Sequence, residues 1–345
     1  MQTFSFQWHI TDACDQRCKH CYIFSEDNQK PIDSMNWNEM LAAVSNCEDF
    51  CEVYRRRPYF YITGGDPLLH KDFWRLVELF KKKNYPFTVM GNPFHVDDDV
   101  CARLKSYGCK KYQMSLDGLK ETHDFFRKPG SFDATLEKIS CLNRAGIRSV
   151  IMSTVSSRNI DEIPALIDEV VKHDVNIYAF ARYCPTSDEK SIGIKPERYR
   201  RLLEICDRKF NEYEARGCNT YFNRKDHLWT LYEYELGRFK IPADARKGMI
   251  YGGCNCGNGH LTILPRGDVY ACRRVIDSRV GNVFEDRLAE LWITEMERYR
   301  DYDSFSKCSR CKLLAWCRGC PAVSKGTNGS FYSDDPQCWA STDLN

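Results

Sequence analysis

The stretch Thr11–Phe24, TDACDQRCKHCYIF, sets Cys14, Cys18 and Cys21 at C-x3-C-x2-C spacing. Close-set thiolates bind metal, and the number of them selects the chemistry. A structural zinc site is closed by four ligands, and catalytic zinc usually mixes in histidine. His20 lies between Cys18 and Cys21, in a gap too tight to serve the same ion comfortably. Three thiolates can instead hold three irons of a [4Fe–4S] cube and leave the fourth open to a substrate or cofactor. The plain alternative is three thiols packed on a loop, which suits a polar stretch poorly.

A second group runs Cys254-x-Cys256, Gly267-x4-Cys272, Cys308-x2-Cys311-x5-Cys317-x2-Cys320 and Cys338. Eight thiols suffice for two tetrathiolate sites. Zinc is the rival again, because C-x2-C pairs are common zinc spacings. The chain holds nineteen cysteines, an odd number, behind an N-terminus with neither a basic segment nor an apolar one. No signal peptide is expected, so a cytoplasmic, reducing setting with metal or redox chemistry is favoured over disulfides. The other cysteines, Cys47 and Cys51 among them, fall mostly in apolar helical patterns and read as small core residues.

The elements that must carry these groups alternate from residue 4 to about 181. Strands are expected at 4–10, 59–63, 87–90, 112–115, 149–155 and 176–181. Helices are expected at 37–54, 70–83, 97–107, 132–145 and 161–173, the last opened by an Asn159-x-x-Glu162 capping box. Strands joined by helical crossovers give a parallel sheet. Six units imply an α/β fold, a partial (β/α)6 barrel of TIM type, with chemistry at the C-terminal strand ends. The first cysteine loop follows the first strand, at that end. Residues 1–183 read as this barrel, 184–253 as a helical bridge, and 254–345 as a cysteine-rich domain. A net charge of +2 without long basic blocks speaks against nucleic acid, and no 18-residue apolar run suggests a membrane span.

CDQRCKHC resembles the cluster motif of radical S-adenosylmethionine (SAM) enzymes. Two further stretches carry the likeness. TGGDP ends the second strand, where the family has a glycine-rich motif for the SAM amino group; Gly64, Gly65, Asp66 and Pro67 fill it, with Asp66 keeping a carboxylate for the ammonium. SLDG ends the fourth strand and implies Ser115 and Asp117 near the SAM ribose or carboxylate, with Arg127 pairing that carboxylate and Tyr22 among the cofactor contacts. The C-terminal cysteines resemble the SPASM extension, which implies two auxiliary [4Fe–4S] clusters. One would take Cys254, Cys256, Cys272 and Cys320, the other Cys308, Cys311, Cys317 and Cys338. The last gap is x2 where the usual pattern has x3. The Cys254-x-Cys256 pair is tight, and a non-ligating member would leave that cluster open to substrate.

The resemblance implies three clusters and SAM. It also implies reductive cleavage to a 5′-deoxyadenosyl radical, and hydrogen abstraction from a substrate. A reductant such as flavodoxin or ferredoxin is then needed. The expected substrate is a ribosomal precursor peptide and the expected product a cysteine thioether. The alternatives are epimerisation or a carbon–carbon cross-link, then a small-molecule reaction of haem-precursor type, with a zinc scaffold least favoured. Sulfatase maturation loses weight because Arg273 follows Cys272, where those enzymes carry an Asp. Thirteen residues precede Cys14, so no leader-binding domain is expected in front of it. Leader binding, where it occurs, falls to a separate protein or to the bridge. Cys184, after the sixth strand, is a candidate catalytic hydrogen donor. Arg182 faces either the site or a salt bridge, and His9, Asp12 and His20 are expected to stabilise the cluster loop.

Overall fold

The computed structural model describes residues 2–24, 29–185 and 193–340. Six parallel strands follow one another in sequence order: β1 (Thr3–Thr11), β2 (Arg57–Gly64), β3 (Phe87–Met90), β4 (Cys109–Ser115), β5 (Arg148–Val155) and β6 (Ile177–Arg182). The helices between them are α1 (Trp37–Val53), α2 (Phe73–Lys82), α3 (Asp98–Ser106), α4 (Lys120–Phe126), α5 (Ser131–Arg144) and α6 (Ile163–Lys172). Alternation within each strand separates two environments. Along β1, Phe4, Phe6, Trp8 and Ile10 are buried toward the helices, while Ser5, Gln7 and His9 take the opposite, inner face. Aromatic stacking welds the outer layer. The ring of Phe60 on β2 stacks on Phe80 of α2 at 4.4 Å, and Phe4 meets Phe50 of α1 at 4.4 Å. Cys47 and Cys51 lie in this core at 0% and 3% exposure, as the helical pattern requires.

The sheet is longer than the six expected strands. β7 (Tyr221–Asn223) pairs in parallel with β6, after α7 (Pro196–Ala215). At the other edge β8 (His260–Ile263) pairs in parallel with β1 and leads antiparallel into β9 (Asp268–Tyr270) and β10 (Arg279–Asn282). The bridge and the cysteine-rich segment therefore each donate strands to one continuous ten-stranded sheet. α8 (Leu228–Glu235), α9 (Leu288–Ile293) and α10 (Pro321–Asn328) complete the fold.

Two local expectations need correction. The helix expected from residue 70 starts at Phe73, because Pro67–Leu69 forms a 3-10 turn capped by the Asp66 side chain. Asn159 does not cap α6, which begins after Glu162. The Asn159 amide donates instead to the carbonyls of Asp117 and Thr154, and Glu162 accepts from Leu119 N at 2.7 Å and Thr122 Oγ1 at 2.5 Å. Asn and Asp side chains compete freely for backbone partners, and here the tertiary partners prevail.

Candidate active site

The loop after β1 is fastened directly onto the end of β2. Gly65 N donates to Thr11 O at 2.8 Å and Asp66 N to Ala13 O at 2.6 Å. A Cβ at Gly64 would lie 2.0 Å from Thr11 O, and one at Gly65 would lie 2.1 Å from Ala13 O. Gly64 also sits at φ +143°, a conformation side chains disfavour. The two glycines thus bring the cysteine loop within hydrogen-bonding distance of the second strand.

Cys14, Cys18 and Cys21 neighbour one another at this end, each partly accessible. Asn92, from the loop after β3, approaches Cys14 Sγ at 4.0 Å and donates to Asp15 at 2.7 Å. Burial pushes the Cys14 thiol up to about 12. A bare thiolate is therefore disfavoured there, and the charge-bearing form needs a metal or a cation. One cation is present. Arg127 approaches Cys18 Sγ at 3.7 Å through Nη1 and donates from Nε to Asp117 Oδ2 at 2.6 Å. Burial alone would raise the Asp117 pKa, but Arg127 and His20 overcome it and hold the carboxyl at about 2. Thr154 N donates to the other Asp117 oxygen at 2.8 Å, so the ion pair is fixed from both sides.

Asp66 is built into the strand-end loops. It is fully buried, and its oxygens accept from Leu68 N at 2.9 Å and Asn92 N at 2.8 Å. Its carboxylate ties the strand-end loops together through these two backbone groups. Pro67 is buried in the 3-10 turn. Ser115 ends β4, on the inner face beside Met152 of β5. Tyr22 is partly exposed, and the Arg273 guanidinium lies 4.7 Å from its ring centre. Asp12 is paired with Lys30 at 2.7 Å, and His20 stands 3.5 Å from Asp117. His9 Nε2 meets Gln7 at 3.2 Å.

The C-terminal thiols fall into two neighbourhoods. Cys254, Cys256, Cys272 and Cys320 feel one another's charge, as do Cys308, Cys311, Cys317 and Cys338. Burial pushes Cys254 and Cys308 each up to about 12. One zinc ion draws its sulfurs to about 2.3 Å from itself. A cube takes one thiolate on each iron, so two sets of four thiols have the ligand chemistry of two iron–sulfur clusters. Cys184 is buried, its thiol donates to Arg182 O at 3.9 Å and lies beside Cys320, so it belongs spatially to the first set. Arg274 lies among Cys184, Cys320, Cys272 and Cys254, with part of its side chain open to solvent. Sequence reasoning did not single it out, and no local signal marks it.

Arg182 resolves as a salt bridge. Its guanidinium is buried and bidentate to both Asp226 and Asp335, with Gln337 at 3.0 Å. Asp335 also accepts from Cys320 N at 2.7 Å. The network joins β6, the bridge and the cysteine-rich segment. Among the described residues, no helix is long and apolar enough to cross a membrane.

Residues 8–170 match the radical SAM superfamily, and residues 254–321 match the SPASM iron–sulfur cluster-binding domain. The chain is 24% identical over 341 residues to the AdoMet-dependent heme synthase of Methanosarcina barkeri, covering 96% of this chain and 95% of that one. It is 26% identical over 347 residues to the mycofactocin maturase MftC of Mycolicibacterium smegmatis, covering 96% and 81%. Its fold matches Streptococcus suis SuiB bound to S-adenosylmethionine with a TM-score of 0.76 at 18% identity, over 98% of this chain and 78% of that one. The chain therefore carries a radical SAM domain over residues 8–170, followed by an iron–sulfur cluster-binding SPASM domain over residues 254–321.

Proposed function

We propose that this enzyme removes a hydrogen atom from a precursor peptide held in the barrel and joins a cysteine sulfur of that peptide to the carbon so opened, the thiol proton leaving to solvent and the remaining electron going to an iron–sulfur cluster that the C-terminal thiols would hold. One observation carries the site assignment: three partly accessible thiols, two close-packed glycines and a buried Arg127–Asp117 pair meet at one mouth of the sheet. In this reading Cys14, Cys18 and Cys21 hold a [4Fe–4S] cluster with one iron left for SAM. When bound, SAM and that cluster supply the hydrogen-abstracting radical. Arg127, held by Asp117, offers the guanidinium edge not used by Asp117 to the SAM carboxylate. Ser115 lies within the same mouth. The two C-terminal thiol sets hold the auxiliary clusters, which makes three in all, and the barrel, bridge and SPASM segments act as one unit.

The mycofactocin maturases and SuiB, one structure of which is titled as bound to precursor peptide SuiA, favour a peptide substrate. Flavodoxin or ferredoxin would supply the electron, and a separate protein the leader recognition. Cys184 would donate hydrogen in the epimerase variant of this reading. Co-expression with a candidate peptide followed by mass spectrometry tests the bond: loss of two hydrogens at a cysteine fits the thioether, while deuterium uptake without mass change in water would replace it by epimerisation. A second reading is a haem-precursor substrate, favoured by full-length similarity to haem synthases. Conversion of such a precursor with no change to any peptide would decide for it.

A further inference from the structure

We propose that the substrate is held in the barrel through a carboxylate, with Lys225 as the anchoring cation; this deepens the reading above and rests on it. The observation is a charge imbalance. The eight parallel strands contain no Asp or Glu at all, on either face. Cations do reach the inner face. Lys111 of β4 pairs across with Arg148 of β5, and His260 opens β8 beside Ser5. Lys225 follows β7, and Arg274 follows the end of β9.

Lys225, His260 and Arg274 are mutual neighbours. Among the described residues none of the three is paired with a carboxylate, so an entering anion meets no acid already in place. Arg274 lies beside Cys320, Cys272 and Cys254, whose thiolates would balance its charge when they hold a cluster. His260 is held neutral at neutral pH, because burial and the two cations pull it down to about 4. That leaves Lys225. Its side chain is open to water, its Nζ stands 4.0 Å from Met152 Sδ, and among the described residues it makes no ion pair. A thioether sulfur is a weak acceptor, so among the described residues no strong protein acceptor competes with an entering anion for the ammonium. Burial and Arg274 lower Lys225 only to about 8, so it still carries charge at pH 7.

Met152 lies beside Ser115 across the β4–β5 pair, so Lys225 is on the substrate side of the proposed SAM site. A carboxylate is the anion that both substrate readings share: a peptide offers its C-terminus or an acidic side chain, a haem precursor its propionates. A carboxylate on Lys225 gains a charge-assisted hydrogen bond and removes the local imbalance.

The test uses anaerobic, cluster-loaded protein and two pairs of probes. Equilibrium dialysis compares coproporphyrin III with its tetramethyl ester. Affinity capture compares a random hexapeptide pool lacking Asp and Glu, with free C-termini, against the same pool amidated. At least one acid form should be held tenfold or more above its neutral counterpart. Lys225→Met should erase that preference and Lys225→Arg should keep it, with iron content checking that each variant is folded. Preference in the porphyrin pair alone assigns the carboxylate to a haem-precursor source, and preference in the peptide pair alone to a peptide. No preference in either pair, or a preference that survives Lys225→Met, overturns the proposal. 5′-Deoxyadenosine formed by the same preparations reads the underlying function separately. Its presence without acid preference sinks only the carboxylate, and its absence sinks the radical SAM assignment of the site.

Discussion

Replacing Arg182 by Met should loosen the junction between barrel and cysteine-rich segment. The guanidinium is completely buried and satisfies two carboxylates at once, at 3.0 and 3.2 Å for Asp226 and at 2.5 and 2.8 Å for Asp335. Methionine fills similar volume but leaves both acids enclosed without a cation. Breaking a buried pair in this way costs about 3–5 kcal/mol. For a chain of this length unfolding as one unit, about 4 kcal/mol lowers the melting temperature by about 5 °C. Anaerobic thermal unfolding of cluster-loaded protein reads it. The pH dependence gives a second handle. Burial tends to raise the Asp226 pKa, and Arg182 reverses this and holds it below the usual carboxylate value. In the native protein that stabilisation is present above the unfolded carboxylate pKa of about 3.9 and is lost as pH falls through the depressed folded value. Without Arg182 burial dominates, the folded pKa rises, and the penalty is greatest at neutral pH. The gap between variant and native protein should therefore narrow as pH falls from about 7 toward 5. Asp335 also holds Cys320 N, so iron content should fall with stability. A melting temperature within 1 °C of the native protein at pH 7, with full iron, would refute the reasoning.

Other perturbations separate the parts of the site. Gly65→Ala sets a methyl 2.1 Å from Ala13 O, so it should displace the cysteine loop, lower cluster occupancy and cut SAM cleavage at least tenfold. Arg127→Met strands the buried Asp117 carboxylate, and SAM affinity measured by dialysis should drop by about tenfold, in line with about 1.4 kcal/mol for one charge-assisted contact, with partial recovery in Arg127→Lys. Replacing Cys14, Cys18 and Cys21 together by Ala should take iron from about twelve to about eight per chain while the C-terminal clusters persist. Loss of all iron would instead argue that the loop cluster is needed for folding.

The barrel strands were readable because strands buried on one face and flanked by helices leave β-branched and aromatic runs of recognisable length. β7 and β8 were not, since three or four residues such as YFN and HLTI become strands only by pairing with an existing sheet edge. The cysteine and glycine spacings were legible for a local reason: each group acts within one loop. Meaning that depends on distant partners was hidden. Asn159-x-x-Glu162 has the pattern of a cap, yet its side chains serve Asp117 and the loop before α4. The backbone partners of Asp66, Leu68 N and Asn92 N, were likewise invisible in the sequence. Arg182 could be assigned only when Asp226 and Asp335 met it, and Lys225 and Arg274 acquire significance only from where the strands place them.

The central claim is that three thiols at the mouth of the barrel leave one iron open for SAM. Anaerobically reconstituted protein, given SAM and dithionite, should form 5′-deoxyadenosine, and the Cys14, Cys18 and Cys21 variant should form none while keeping its auxiliary iron. Reconstituted protein that holds zinc without sulfide and leaves SAM intact would contradict the account.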